Sequence, residues 1–76
     1  MVPHISESDL VNTGDLYELT VLPGVGETIA GLICEERESN GLFMYPEDLL
    51  AVKGIGEKKL EKIRPFLITE QDGSED

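Results

Sequence analysis

The chain has no tryptophan, one cysteine, one histidine, two tyrosines and two phenylalanines in 76 residues, and only six basic residues against sixteen acidic ones. Each scarcity excludes something. A lone cysteine, Cys34, cannot close an intrachain disulfide, which removes the disulfide-scaffold class. It follows Ile33 on a predicted helix and reads as a small buried or half-buried apolar residue, with only Arg37 close enough in sequence to activate its thiol. His4 and Cys34 lie too far apart to form a metal-ligand pattern. No apolar run approaches the roughly 20 residues that span a bilayer, and residues 1–9 carry neither the basic nor the apolar region of a signal peptide. The expectation is a chain that is soluble as written and has no membrane segment.

A chain of this length makes one domain with a marginal core, so nearly every large apolar residue must contribute to it. There is no room for a separate catalytic domain. Nor does the sequence offer a nucleophile with a base, paired catalytic carboxylates or metal-ligand spacing, so a binding module is expected rather than an enzyme acting on a small-molecule substrate.

What the chain does contain is one five-residue device written twice. Leu22-Pro23-Gly24-Val25-Gly26 and Val52-Lys53-Gly54-Ile55-Gly56 repeat at an offset of thirty residues. With Gly24 laid on Gly54, Leu19 falls on Leu49, Leu22 on Val52, Val25 on Ile55, Glu27 on Glu57, Ala30 on Leu60 and Ile33 on Ile63. The matched positions are mostly apolar, as two copies sharing one core require. A chance G-x-G is weak evidence, whereas this doubled apolar-x-G-apolar-G with register-matched flanks is much stronger. Glycine at both flanking positions is expected to let the backbone turn sharply and approach a partner closely. The next helix then starts with unpaired N–H groups facing outward, which suits a phosphate oxygen.

The rest of the pattern is helical, with no convincing strand. Asn12 or Thr13 is placed to cap a helix running to about Leu22, and a second helix is expected from about Glu27 to Ser39, with Ile29, Leu32 and Ile33 on its inner stripe and Glu35, Glu36 and Glu38 on its wet side. Asn40-Gly41 is a left-handed stop signal, and Leu42, Phe43 and Met44 are expected to tuck back over the core as an irregular connector. Pro46 suits the first turn of the next helix, where Glu47 and Asp48 are favourable. A last helix from Glu57 is interrupted by Pro65, with Phe66 and Leu67 closing the core as a lid. The boundaries expected are a flexible segment 1–10, a folded domain 11–68 and a disordered acidic tail 69–76.

Charge cuts both ways. The net charge of −10 repels nucleic acid and taken alone favours a basic protein partner. Yet Lys53, Lys58, Lys59, Lys62 and Arg64 lie together, opposed in that stretch only by Glu57 and Glu61. Lys58 and Lys62 are i, i+4 neighbours and Lys59 is three before Lys62, so one helix flank is expected to present three ammonium groups. Either this patch meets phosphates or it is a solvated cationic face balancing an acidic body. The first hairpin lacks such support: Pro23 stands in place of Lys53, Thr28 and Ile29 in place of Lys58 and Lys59, and Leu32 in place of Lys62. Thr28 offers a hydroxyl as an extra donor. Glu27 and Glu57 stabilise their helix dipoles but compete with an incoming anion.

Val11-Asn12-Thr13, Asp15 to Leu19, Leu22 to Gly26, Arg37 to Phe43, Glu47 to Leu50 and Val52 to Gly56, taken in that order, resemble a ComEA-type helix-hairpin-helix domain, the DNA-binding module of bacterial competence receptors. The similarity runs from about Val11 to Leu67. It implies an all-α, compact four- to five-helix domain of two helix-hairpin-helix motifs related by a pseudo-twofold. It further implies sequence-independent binding of double-stranded DNA through the phosphate backbone, as in DNA uptake or DNA processing, with no cofactor beyond a monovalent cation that hairpin carbonyls sometimes hold against a phosphate. The candidate contacts are Gly24, Gly26, Thr28, Lys53, Gly54, Gly56, Lys58, Lys59 and Lys62, mainly those of the second hairpin. The alternative is a protein-interaction module that keeps the scaffold with little DNA affinity. Such receptors usually carry a membrane anchor, so the expected compartment is cytoplasmic for a free-standing chain and extracytoplasmic for an excised domain. Two departures from the pattern are Tyr45, where a small capping residue such as Ser is usual, and the acidity.

Overall fold

The computed structural model describes residues 3–71. In chain order these form a short strand β1 (Pro3–Ile5), helices α1 (Leu10–Thr13), α2 (Leu16–Leu19) and α3 (Glu27–Asn40), a 3₁₀ segment Pro46–Ala51, helix α4 (Glu57–Ile63), a 3₁₀ turn Arg64–Phe66 and strand β2 (Thr69–Gln71). The fold is mostly helical, as expected. Leu19, Leu22, Val25, Ile33, Leu49, Val52, Ile55, Leu60 and Ile63, the apolar positions expected to form the core, are all buried, and Ile5, Val11, Ala30 and Phe43 join them.

The expected single helix up to Leu22 is two. Gly14 is extended and ends α1, and Asp15 starts α2 with a reciprocal cap: its Oδ1 accepts the Glu18 N–H at 2.8 Å while Glu18 Oε1 accepts the Asp15 N–H at 2.9 Å. Neither Asn12 nor Thr13 caps that helix. Asn12 is buried instead, and its side-chain amide copies a strand partner for Phe43. Its Oδ1 accepts the Phe43 N–H at 2.7 Å, and its Nδ2 donates at 3.0 Å to the carbonyls of both Phe43 and Ser6. Arg37 stands beside Cys34 as expected, its Nη2 3.7 Å from the Sγ, and its guanidinium also donates to the carbonyls of Val11 and Gly14, at 3.0 Å each. Asn12 ties α1 to distant backbone and Arg37 ties the α1 backbone to α3, so α1 is held by long-range hydrogen bonds more than by its own four residues.

The absence of strands is corrected. β1 and β2 pair antiparallel, with Pro3 opposite Gln71, His4 opposite Glu70 and Ile5 opposite Thr69. The pairing continues through the Ser6 N–H to the Ile68 carbonyl at 2.8 Å, and Asp9 Oδ1 accepts the Ile68 N–H at 3.0 Å. The segment expected to be flexible therefore holds a paired strand and places Ile5, Ser6 and Asp9 in the interior. Thr69–Gln71 of the expected tail is strand as well, while residues 72–76 lie outside the described residues. The physical reason is the Pro3-His4-Ile5 sequence: one buried isoleucine and a few backbone bonds suffice once the chain ends meet, and no local pattern announces that meeting.

Three smaller expectations are revised. Of the connector, Phe43 is buried but Leu42 and Met44 face solvent; of the lid, Leu67 packs against the core while Phe66 is 59% exposed. Pro46–Ala51 is 3₁₀ rather than α, and Asp48 in its first turn reaches back, its Oδ2 accepting the N–H groups of Met44 and of the N-cap residue Tyr45 at 3.1 and 3.0 Å.

Candidate nucleic-acid interface

The two hairpins have the same backbone geometry. In the first, the Leu22 N–H donates to Leu19, the Val25 N–H to Leu22 and the Ala30 N–H to Gly26, at 3.1, 3.1 and 2.8 Å; in the second, Val52 donates to Leu49, Ile55 to Val52 and Leu60 to Gly56, at 3.0, 3.0 and 2.9 Å. Val25 and Ile55 are both buried, pinning each turn to the core between its glycines. The accepting carbonyls retain a second lone pair, the donor type that a monovalent cation would take.

The glycines divide into two kinds. Gly24 and Gly54 have φ of +75° and +98°, a region that L side chains seldom enter. Gly26 and Gly56 have φ of −95° and −100°, ordinary extended backbone at the N-caps of α3 and α4. The expectation that both glycines of each pair serve the turn is thus corrected: only the first does. A Cβ built on Gly26 or Gly56 meets nothing within 4 Å, and both residues are exposed. No side chain caps either helix, so first-turn N–H groups face outward beside an open backbone. We expect Gly54→Val to cost about 2 kcal/mol through its positive φ and the Ile29 side chain 3.2 Å from the new Cβ. Gly56→Val should cost at most about 1 kcal/mol, a capping effect. Urea denaturation of the two variants checks the ordering.

A reciprocal contact places the hairpins side by side. A Cβ on Gly24 would stand 3.1 Å from Cε of Lys59, and a Cβ on Gly54 would stand 3.2 Å from Cγ1 of Ile29. Residues 29 and 59 are the same repeat position, so each turn leans on the first turn of the other repeat's helix. That exchange is the mark of a pseudo-twofold, and it brings both glycine turns to one side of the domain.

Among the basic residues, Lys53, Lys58 and Lys62 are exposed and Lys59 is half-buried. No lysine forms an ion pair among the described residues. Arg64 leaves the patch, turning to Glu47 Oε2 at 3.3 Å. Thr28 is exposed on the first turn of α3. The expected cluster of three ammonium groups on one flank is reduced to Lys58 and Lys62, because Lys59 crosses to the other repeat. The repeat register held the signal: if 29 and 59 are twofold mates and Ile29 belongs to an inner stripe, the stem of Lys59 must also face inward.

Residues 10–68 match the family described as the helix-hairpin-helix motif. The chain belongs to that family. It is 48% identical over 54 residues to ComE operon protein 1 of Bacillus subtilis, an alignment covering 71% of this chain and 26% of that protein. It is also 41% identical over 64 residues to the human endonuclease/exonuclease/phosphatase family domain-containing protein 1, covering 84% of this chain and 11% of that protein. The chain thus spans about a quarter or less of the length of these relatives. No solved structure matches. The similarity to ComE operon protein 1 agrees with the ComEA-type resemblance carried by the doubled hairpin, and the matched region is a helix-hairpin-helix segment rather than a catalytic one. No helix is long and apolar enough to cross a membrane among the described residues.

Proposed function

We propose that the domain binds double-stranded DNA through its phosphate backbone without reading sequence, as a binding module with no catalysis of its own, in a DNA-uptake or DNA-processing setting. The observation that carries the reading is the pair of second glycines. Neither Gly26 nor Gly56 is required by φ or by any neighbour within the chain, yet both repeats have glycine there, at exposed N-caps. Space left open beside outward N–H groups fits a phosphate oxygen approaching the main chain. Lys53, Lys58 and Lys62 supply mobile cations around it, and Thr28 a hydroxyl. Arg37 and Asn40 share α3, but Arg37 bonds the Val11 and Gly14 carbonyls and Asn40 bonds Glu36, so neither is poised to read base edges.

Titration of a labelled duplex at low and moderate salt tests this. With two or three phosphates neutralised, log K should fall against log[salt] with a slope of about −2 to −3, and affinity should be on the order of 10⁻⁴ to 10⁻⁶ M. Scrambling the duplex sequence should leave both unchanged. The net charge of −10 favours a second reading, a protein-interaction module with a basic partner. Absence of salt-sensitive DNA binding at low ionic strength would select that reading.

A further inference from the structure

The sequence leaves the first hairpin without a cation of its own, and the fold gives it one from the other repeat. The Lys59 stem runs over the Gly24 turn, with Cγ, Cδ and Cε all at 3.1 to 3.4 Å from where a Cβ would stand. The ammonium is one bond further on, and it has no carboxylate partner among the described residues. At the twofold-related place the second hairpin has Ile29, which brings no charge. A half-buried stem held along a defined path loses little further freedom when its ammonium engages an anion, unlike the exposed Lys58 and Lys62.

We infer that Lys59 is a phosphate-positioning residue of the first hairpin, not the second, so that the first DNA contact is assembled from both repeats. The inference rests on the DNA-binding reading above and reverses its emphasis on the second hairpin. Gly24 then has two duties: its positive φ makes the turn, and its lack of a side chain leaves the groove in which Lys59 lies. Ile29, its mate, closes the second turn with an apolar cover. Each turn is therefore supported by the opposite repeat, but only the first receives a charge by that route.

The test uses the full chain, ¹⁵N-labelled, with a short duplex, and compares the wild type with Lys59→Met, which keeps an unbranched stem over Gly24 and removes the charge. Amide signals of Gly26 and Gly56 are both expected to move in the wild type. In Lys59→Met the Gly26 shift should be lost while the Gly56 shift persists, with affinity down roughly three- to tenfold and the salt slope reduced by about 1. Ile29→Lys, the mirror substitution, should raise affinity and steepen the slope by a similar amount. The assignment is overturned if Lys59→Met suppresses the Gly56 shift and spares Gly26, or leaves affinity and slope unchanged while the wild type binds. A wild type that shows no duplex-dependent shift at all overturns the DNA reading itself, and this assignment with it.

Discussion

Replacing Asn12 by alanine should cost the domain about 3 kcal/mol or more, the largest loss expected from any single polar substitution. Its amide makes three buried hydrogen bonds, to the Phe43 N–H, the Phe43 carbonyl and the Ser6 carbonyl. Alanine leaves the Phe43 N–H and carbonyl without the partner Asn12 gives them, while the Ser6 carbonyl keeps the Asp9 N–H at 3.0 Å, and each unsatisfied buried group costs about 1–3 kcal/mol. A domain of this size has a total stability of roughly 4–11 kcal/mol, so the loss is a large share of it. Asn12→Asp is a sharper probe. It keeps an acceptor for the Phe43 N–H but faces two carbonyls with a carboxylate, and it should be at least as damaging at neutral pH. Denaturation midpoints decide the matter: a change below about 1 kcal/mol for Asn12→Ala would mean that the cross-chain clamp between α1 and the Phe43 segment is dispensable.

Reversing Lys58 and Lys62 together to glutamate should abolish duplex binding while leaving the fold intact. Both side chains are exposed on α4 and neither forms an ion pair among the described residues, so the fold has little stake in their charge. For DNA the change is different. It removes two cations and adds two anions on a body whose net charge is already −10, taking the chain to −14. Because non-specific affinity is almost wholly electrostatic, a binder already in the weak range has no reserve against that change. Thr28→Ala should weaken binding far less, since a neutral hydroxyl contributes one uncharged hydrogen bond. A circular dichroism melt alongside the binding assay separates the two effects. Binding retained by the double reversal would remove Lys58 and Lys62 from the contact and leave Lys59 as the cation α4 supplies.

The comparison between the two glycine kinds shows how much local pattern conveys. The doubled motif in the sequence carries the hairpins, their register and the buried residues Val25 and Ile55 between the glycines, because each depends on neighbours within a few positions. It does not separate Gly24 and Gly54 from Gly26 and Gly56. All four are glycine in the string, and only φ distinguishes a residue that must be glycine for the turn from one whose empty face points outward.

The repeat, the helical class, the core positions from Leu19 to Ile63 and the confinement of most positive charge to residues 53–64 are all legible in the order of residues. These follow from periodicity and composition, which act over a turn or two of helix. Three other features arise only when distant segments pack together. Packing joined Pro3–Ile5 to Thr69–Gln71, since strand pairing between chain ends is a long-range contact with no local mark. It made Asn12 a clamp instead of a cap, because Phe43, thirty-one residues away, needed a buried partner for its backbone. And it carried Lys59 across the pseudo-twofold to Gly24, since where a long side chain lies depends on which repeat its helix packs against, and that is settled only when the two halves meet.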